Sequence, residues 1–263
     1  MIALPIFILI LSILIIVHEF GHFIVARKMG VRVEKFSLGF GPQILKKKRK
    51  GTEYSIAAIP LGGFVKLAGD NLEDFKGGPD EYFSKPPGSR FWILFSGAFL
   101  NYILGFLFFW LIFFVGYPTL TTKVGGVLEG FGAKEAGLQV ADNIIEIDGQ
   151  RIAYWEELQS IVQAKKADEK VKLVVLRNNK EFTTSISIKE KQFEDPLGKK
   201  HRIGLLGITP FEELIKVRHG FFKSFTLGIN KTWELTVLTY QGLWRMISGK
   251  LSIRESVTGP LGI

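Results

Sequence analysis

Two long apolar segments constrain what this chain can fold into more than any other feature of its sequence. Residues 91–117 carry no formally charged side chain over 27 positions, and residues 1–26 are apolar except around His18 and Glu19. About 20 apolar residues, at 1.5 Å per residue, are enough to cross a bilayer as a helix. The chain is 47% apolar and 22% charged, so its apolar residues are concentrated and not spread through one soluble core. We therefore predict transmembrane helices over 1–26 and 91–117.

The alternative for residues 1–26 is a secretory signal peptide. Such a peptide has a basic start, a shorter apolar run and a cleavage site of small residues, and this segment has none of them. The chain also has no cysteine. This excludes a disulfide framework, a cysteine zinc ribbon, an iron–sulfur site and a thiol nucleophile.

The distribution of charge predicts an orientation. Residues 27–90 hold 13 Lys and Arg against 7 Asp and Glu, including the basic run 46–50. By the positive-inside rule this loop is cytoplasmic, so the N-terminus and the chain after residue 117 lie outside. Residues 118–220 carry 16 basic and 15 acidic side chains, a balance that argues against nucleic-acid binding. We interpret the basic run as a solvated turn that faces lipid headgroups.

The cytoplasmic loop contains a predicted β-hairpin that lies against the membrane. Residues 36–40, 54–58 and 62–67 resemble short strands, with a turn at 59–63. Two interpretations stay open. The hairpin either only covers the base of the helices, or it offers an exposed edge that holds an extended peptide through backbone pairing.

Residues 121–210 are soluble in character and alternate predicted strands and helices. The phrases Glu135-Ala136-Gly137-Leu138 and Asp142 to Gly149 resemble a PDZ domain of the kind found in bacterial proteases. The resemblance implies an extracytoplasmic α+β domain that binds a peptide, with a passive spacer as the alternative. Aromatic residues at spacings of three and four then predict an amphipathic interfacial helix over 220–250, although a core helix fits the pattern almost as well.

The first apolar segment contains the pattern His18-Glu19-Phe20-Gly21-His22. On a helix, histidines at i and i+4 share one face and can bind one zinc ion, while the glutamate between them can serve as a general base. Ionisable side chains inside a bilayer cost about 2.5–3.5 kcal/mol each, so a cluster of them predicts a functional site. A pair of structural histidines, with Asn101 as a hydrogen-bonding partner of the glutamate, is the alternative.

The whole chain resembles the site-2 proteases, a family of intramembrane zinc metalloproteases, in a bacterial form with one PDZ domain. The motifs that carry the resemblance are HEFGH at 18–22, FSLGFGP at 36–42, PLGGFVK at 60–66, Asn101 in the second apolar segment, the PDZ phrase and GPLGI at 259–263. The resemblance implies His18 and His22 as zinc ligands and Glu19 as the catalytic base. It also implies substrate contacts at Gly62, Gly63, Phe64 and Val65, and a place near the active site for Asn101.

The sequence departs from the family pattern at two places. Ala98 stands where the family usually has proline, which puts the carry-over to Asn101 in doubt. The family's third zinc ligand is an aspartate in a Leu-Asp-Gly motif on a later span, and we expect residues 251–263 to be the start of that missing span. The dipeptide Asp148-Gly149 belongs to the PDZ phrase instead. The expectation is a shortened chain that binds zinc weakly and cleaves poorly on its own.

Together these features predict an α-helical membrane protein with a small membrane-associated β-sheet and an inserted α+β PDZ domain. The expected function is zinc-dependent cleavage of transmembrane segments of membrane proteins in a bacterial inner membrane. The expected partners are transmembrane protein substrates, membrane lipid and a peptide ligand of the PDZ domain. A non-catalytic PDZ scaffold remains as an alternative, as does a zinc transport component, although the latter lacks further polar residues within the spans.

Overall fold

The computed structural model describes residues 3–194 and 200–248. The chain divides into two compact units, residues 1–108 and 109–263, and each is described here by itself. Residues 251–263, where the sequence predicts the start of a further span, lie outside the described residues.

The first unit begins with helix α1, Ala3–Lys28. The only proline of α1, Pro5, lies in its first turn, where its missing N–H costs no helical hydrogen bond. Gly30 has φ +70°, and the Val31 N–H donates to the Ala26 carbonyl at 2.8 Å. This glycine-centred closure ends the helix two residues beyond the predicted segment.

Helix α2, Pro87–Val115, starts four residues earlier and ends two residues earlier than the predicted segment 91–117. Pro87 suits a first helical position because its φ is already helical. Gly116 follows with φ +102°, so Tyr117 is the first residue of a strand and not the end of a helix. Within the described residues, α1 and α2 are the two helices long and apolar enough to cross a membrane.

Strands β1, Val33–Arg49, and β2, Thr52–Leu67, form the hairpin between the two helices. The turn lies at Lys50 and Gly51, which both have positive φ, as a two-residue hairpin turn requires. The chain also reverses at the turn predicted at 59–63, which lies inside β2: segment 54–56 runs parallel to 36–38, whereas 63–65 runs antiparallel to it. Gly62, with φ +85°, lies in this turn.

Both long strands bend, so the hairpin folds into four strand segments. Segment 33–38 pairs with 63–67 through Val33–Leu67 and Phe36–Val65, and with 53–56 through Phe36–Tyr54. Segment 43–49 pairs with 52–57. The order across the sheet is therefore 43–49, 52–57, 33–38 and 63–67. Segment 63–67 lies at one edge, with one row of backbone groups unpaired by the sheet.

The second unit contains a four-stranded antiparallel sheet in the order β6-β5-β7-β8. Its strands are β5 Asn143–Ile147, β6 Gln150–Arg151, β7 Lys170–Arg177 and β8 Lys180–Ser187. Three strand pairs accompany it: β3 Tyr117–Leu120 with β12 Leu214–Val217, β4 Val124–Val127 with β11 Ile208–Pro210, and β9 Lys189–Glu194 with β10 Lys200–Leu205. Helices α3, Gly132–Glu135, and α4, Trp155–Gln163, complete the unit's core, which is centred on Ile144, Leu173 and Ile186.

Helix α5, Phe221–Ile247, follows the sheets. Its small residues Ser224, Gly228 and Thr232 are buried, and Gly228 lies directly against Trp110. Large apolar side chains on its other faces are exposed, among them Phe222, Trp233, Tyr240 and Trp244. The close approach at Gly228 is the packing that small residues permit between helices.

Candidate functional site

Helix α1 presents two different faces to its neighbours in the first unit. Ser12, Ile15 and Glu19 fall within about 60° of one another at 3.6 residues per turn, and all three contact β2. His18, Gly21 and His22 occupy a face about 100° away and contact α2. The motif therefore divides its chemistry, with both histidines toward α2 and the glutamate toward the sheet.

The two imidazoles meet above Gly97 of α2. Their ring centroids are 4.7 Å apart and the rings are nearly perpendicular, at 84°. A methyl group added to Gly97 would lie 2.7 Å from His18 Nε2 and 2.6 Å from His22 Nε2. Both Nε2 atoms thus border one small space that only glycine leaves open.

The backbone of α2 determines which nitrogen of His22 carries the proton. His22 Nδ1 lies 2.6 Å from the Ile93 carbonyl oxygen. A carbonyl can only accept, so Nδ1 carries the hydrogen and Nε2 keeps a free lone pair. This arrangement, with one ring nitrogen bonded to a carbonyl, is typical of metal-binding histidines.

The side chain of Asn101 holds the corresponding position beside His18. Its Nδ2 atom lies 3.5 Å from His18 Nδ1, and its Oδ1 atom is buried without a hydrogen-bond partner. Asn101 was predicted near the site from the family resemblance alone. The structure places it against a histidine, and not beside Glu19 as the structural alternative supposed.

Glycine allows the two helices to approach this closely. A Cβ atom on Gly21 would lie 2.5 Å from the Ser96 carbonyl oxygen, so any larger residue would push the helices apart. Gly21, Ser96 and Gly97 are the small residues at this contact, a composition that permits close helix packing within membranes.

Glu19 contacts the edge of the sheet. Its Oε2 atom accepts a hydrogen bond from the Val65 N–H at 3.0 Å. Val65 belongs to the edge segment 63–67, so this N–H points out of the sheet. The carboxylate therefore lies beside an edge strand whose backbone groups are available for pairing.

Two further contacts hold this edge against α1. The Ser12 hydroxyl lies 2.6 Å from the Pro60 carbonyl oxygen. Gly62 packs on Ile15 so closely that a Cβ there would lie 2.8 Å from Ile15 Cδ1. These contacts explain why β2 bends at 60–62 and turns its last segment toward Glu19.

The predicted substrate residues do not all lie in one place. Gly62 contacts α1, and the Val65 amide contacts Glu19. Gly63 packs against the backbone of Ser37, and Phe64 stacks on Phe40 with ring centroids 6.2 Å apart, so both contact the sheet itself.

Sequence reasoning missed three contributors to the site: the Ile93 carbonyl, the gap at Gly97 and the Ser12 hydroxyl. Ile93, Gly97 and Asn101 follow one another at i, i+4 and i+8 on α2. That spacing was available in the sequence, but it becomes informative only when α2 is known to face the histidines.

The two histidines fit a metal ion as two of its ligands. Both Nε2 atoms border one gap, and imidazole nitrogen is a usual zinc ligand. Among residues 3–194 and 200–248, no three His, Cys, Asp or Glu side chains form a group that could hold a metal ion. Asp148 has another role, since a hydrogen bond from the Lys172 amide and an ion pair with Lys165 hold its pKa below the usual value.

The second unit contains a separate cavity of about 260 Å³ between α4 and residues 204–210. It is lined mainly by apolar groups, including Trp155, Leu158, Val162 and Leu206. A groove between a helix and a strand is a common place for an extended peptide to bind.

Comparison with known proteins identifies relatives along nearly the whole chain. The model of peptidase family M50 matches residues 6–263. A protein of Helicobacter pylori strain J99, named as a zinc metalloprotease, is 36% identical and covers 97% of this chain and 74% of its own length. A protein of Campylobacter jejuni with the same kind of name is 32% identical, over 94% of this chain and 67% of its own length. The regulator of sigma-E protease RseP of Escherichia coli is 34% identical, over 78% of this chain and 46% of its own length.

Among solved structures, the PDZ domain of an SdrC-like protein from Listeria innocua is 29% identical and covers 35% of this chain and 96% of its own. The TM-score of 0.28 is too low to establish a shared fold.

Proposed function

The chain belongs to peptidase family M50, and on that premise we propose that it is an intramembrane zinc metalloprotease that cleaves transmembrane segments of membrane proteins. The observation that carries the proposal is the pair of Nε2 atoms that border one gap above Gly97, inside two helices apolar enough to cross a membrane.

In this proposal His18 and His22 supply two zinc ligands through Nε2. A catalytic zinc site usually has three protein ligands, and among residues 3–194 and 200–248 no third His, Cys, Asp or Glu joins these two. When bound, zinc supplies Lewis-acid chemistry, lowering the pKa of water and polarising a carbonyl group.

Glu19 acts as the general base and then as the general acid. Its carboxylate takes a proton from the attacking water and later delivers it to the amide nitrogen that leaves. The Val65 N–H, bonded to Oε2, orients the carboxylate.

The edge segment 63–67 holds the substrate. The amides of a transmembrane helix are engaged in internal hydrogen bonds, so the substrate must unwind locally before it is cleaved. An unwound stretch can pair with an exposed strand edge. The contact between Val65 and Glu19 supports this role for Gly62, Gly63, Phe64 and Val65, because the edge then presents the substrate beside the base.

The proposal includes a bacterial inner-membrane location in which residues 27–90 face the cytoplasm. Their excess of Lys and Arg supports this orientation. The N-terminus and residues 121–210 are then extracytoplasmic. The second unit acts as a PDZ domain that admits substrates already trimmed on the outer side, and the cavity beside α4 is where a peptide would bind.

Replacement of the general base tests the proposal. Glu19→Gln keeps an oxygen that can accept from Val65 but removes the base, so cleavage of a transmembrane model substrate should fall at least about 100-fold while bound zinc is retained. Cleavage and zinc content are measured on the protein as its gene encodes it, purified in detergent. Glu73→Gln, at an exposed position between β2 and α2, is the matched control and should cleave normally. Turnover in Glu19→Gln equal to that of the control would remove Glu19 from the mechanism.

A non-catalytic membrane scaffold is the second candidate. It is favoured by the lack of a three-residue metal group among residues 3–194 and 200–248. A scaffold would bind peptides at the α4 cavity but would neither retain zinc nor cleave. Zinc analysis of the wild type and of His22→Ala separates the two, because only the protease loses zinc and activity together in the variant.

A further inference from the structure

Three residues on consecutive turns of α2 lie opposite the two histidines. Two of them give His22 and His18 hydrogen-bonding partners of different chemistry. Ile93 faces His22, Gly97 leaves the common gap, and Asn101 faces His18. Since His18 pairs with the later residue of α2 and His22 with the earlier one, the helices run antiparallel here. Both Nδ1 atoms therefore have a partner on α2, and both Nε2 atoms point to the gap.

The two partners differ in chemistry. The Ile93 carbonyl can only accept a hydrogen bond, so the proton of His22 is held on Nδ1. The Asn101 side chain can either donate or accept, depending on which end of the amide faces the ring. The choice of tautomer in neutral His18 thus depends on one rotatable side chain.

The two amide orientations have opposite consequences for metal binding. With Nδ2 toward His18, Nδ1 must accept, the proton moves to Nε2, and Nε2 has no lone pair for a metal. This orientation also leaves Asn101 Oδ1 buried without a partner, which is unfavourable. With the amide turned by 180°, Oδ1 accepts from Nδ1–H and Nε2 is free. The two ends of an amide are nearly equal in size, so the turn needs no other atom to move.

We propose that Asn101 is a positioning residue whose Oδ1 accepts the Nδ1–H of His18 and thereby holds His18 in the tautomer that offers Nε2 to the metal. The inference rests on the proposed role of His18 as a ligand. The present separation of 3.5 Å exceeds the usual 2.9–3.0 Å, so ring and amide approach by about 0.5 Å when the bond forms. The amide NH2 then takes the position now held by Oδ1 and can donate to water or to a substrate.

The tautomer of His18 can be measured without metal or activity. The chain has only four histidines, so 15N-histidine labelling of the metal-free protein in detergent, above pH 8, gives an assignable spectrum. The wild type should show the hydrogen on Nδ1 for both His18 and His22. In Asn101→Leu, which has a similar volume and no acceptor, His18 should shift toward the Nε2–H form while His22 stays unchanged.

Two further variants control this experiment. Asn101→Asp retains an acceptor and should keep His18 in the Nδ1–H form, which a purely structural role of Asn101 would not predict. Gly105→Ala lies one turn further along α2, with nothing within 4 Å of the added methyl, and should change neither histidine. Zinc affinity, measured by competition with a chelator, should fall about 10–100-fold in Asn101→Leu and stay constant in Gly105→Ala.

A wild-type His18 with its hydrogen on Nε2, or a His18 tautomer that is the same in Asn101→Leu and the wild type, would overturn the inference. Its failure is distinguishable from failure of the proposed function. If the tautomers respond as expected but Glu19→Gln cleaves normally, the positioning role stands and the proposed mechanism falls. If cleavage depends on Glu19 but the His18 tautomer is the same in Asn101→Leu and the wild type, only the positioning role is wrong.

Discussion

Gly97 offers the sharpest test of the metal site because its missing side chain creates the gap. In Gly97→Ala the new methyl would lie 2.6 Å from His22 Nε2 and 2.7 Å from His18 Nε2. Both distances fall short of ordinary contact, which begins near 3.4 Å, by about 0.7–0.8 Å. The methyl also occupies the space that both Nε2 atoms border. It would therefore exclude a metal ion from this space as well as displace the two imidazole rings.

The loss of zinc affinity in Gly97→Ala can be estimated from the displacement that the His22 ring must undergo. A retreat of about 0.8 Å by His22 would lengthen its 2.6 Å bond to the Ile93 carbonyl beyond 3.2 Å and forfeit about 1 kcal/mol. Forcing a methyl into a gap too small for it costs about 1–3 kcal/mol more. Since 1.4 kcal/mol is a factor of ten, zinc affinity should fall at least about tenfold, and cleavage should fall with it.

The assay compares Gly97→Ala with Gly105→Ala on the same helix. Zinc affinity by chelator competition, thermal unfolding in detergent and cleavage of a transmembrane substrate are measured for both. Gly105→Ala adds its methyl in open space and should gain up to about 1 kcal/mol from helix propensity. Wild-type zinc affinity and cleavage in Gly97→Ala would refute the assignment of the gap to the metal.

Two further predictions concern stability. Ser12→Ala removes the hydroxyl that bonds to the β2 carbonyl and should lower the free energy of unfolding by about 0.5–1.5 kcal/mol, measured by thermal unfolding in detergent; an unchanged transition would show that this bond does not hold the sheet to α1. In the second unit, burial alone would raise the pKa of Asp142, but hydrogen bonds from Arg177 and the Gln139 amide hold it below its usual value. Its contribution to stability is therefore present above pH ~4 and lost as the pH falls through the lowered native pKa. Arg177→Met should lower the melting temperature of this unit at pH 7, and lower it less in acid, where the carboxylate becomes neutral; an equal loss at both pH values would contradict this role.

The sequence by itself determined the local elements and the chemistry they carry. Unbroken apolar runs require α1 and α2, because a bilayer or a core must cover them and a helix satisfies its own backbone. The spacing of His18 and His22 places both on one face of any helix. The family resemblance located the edge residues and Asn101 without indicating what either contacts. The predicted turn at 59–63 reverses the chain inside β2 at Pro60 and Gly62, and a second reversal lies at Lys50 and Gly51.

Only the tertiary structure decided how these parts act together. The decisive contacts join His18 to Asn101 over 83 residues, His22 to Ile93 over 71 and Glu19 to Val65 over 46. Local periodicity specifies which face of a helix is apolar, but not which partner meets that face or in what register. Gly97 has no side chain, so its sequence position does not indicate a role in the site. The Asn101 amide can be assigned to His18 only once the two helices are known to lie antiparallel and in contact. The separation of base and ligands onto two faces of α1 follows from the same packing, since the sheet covers one face and α2 the other.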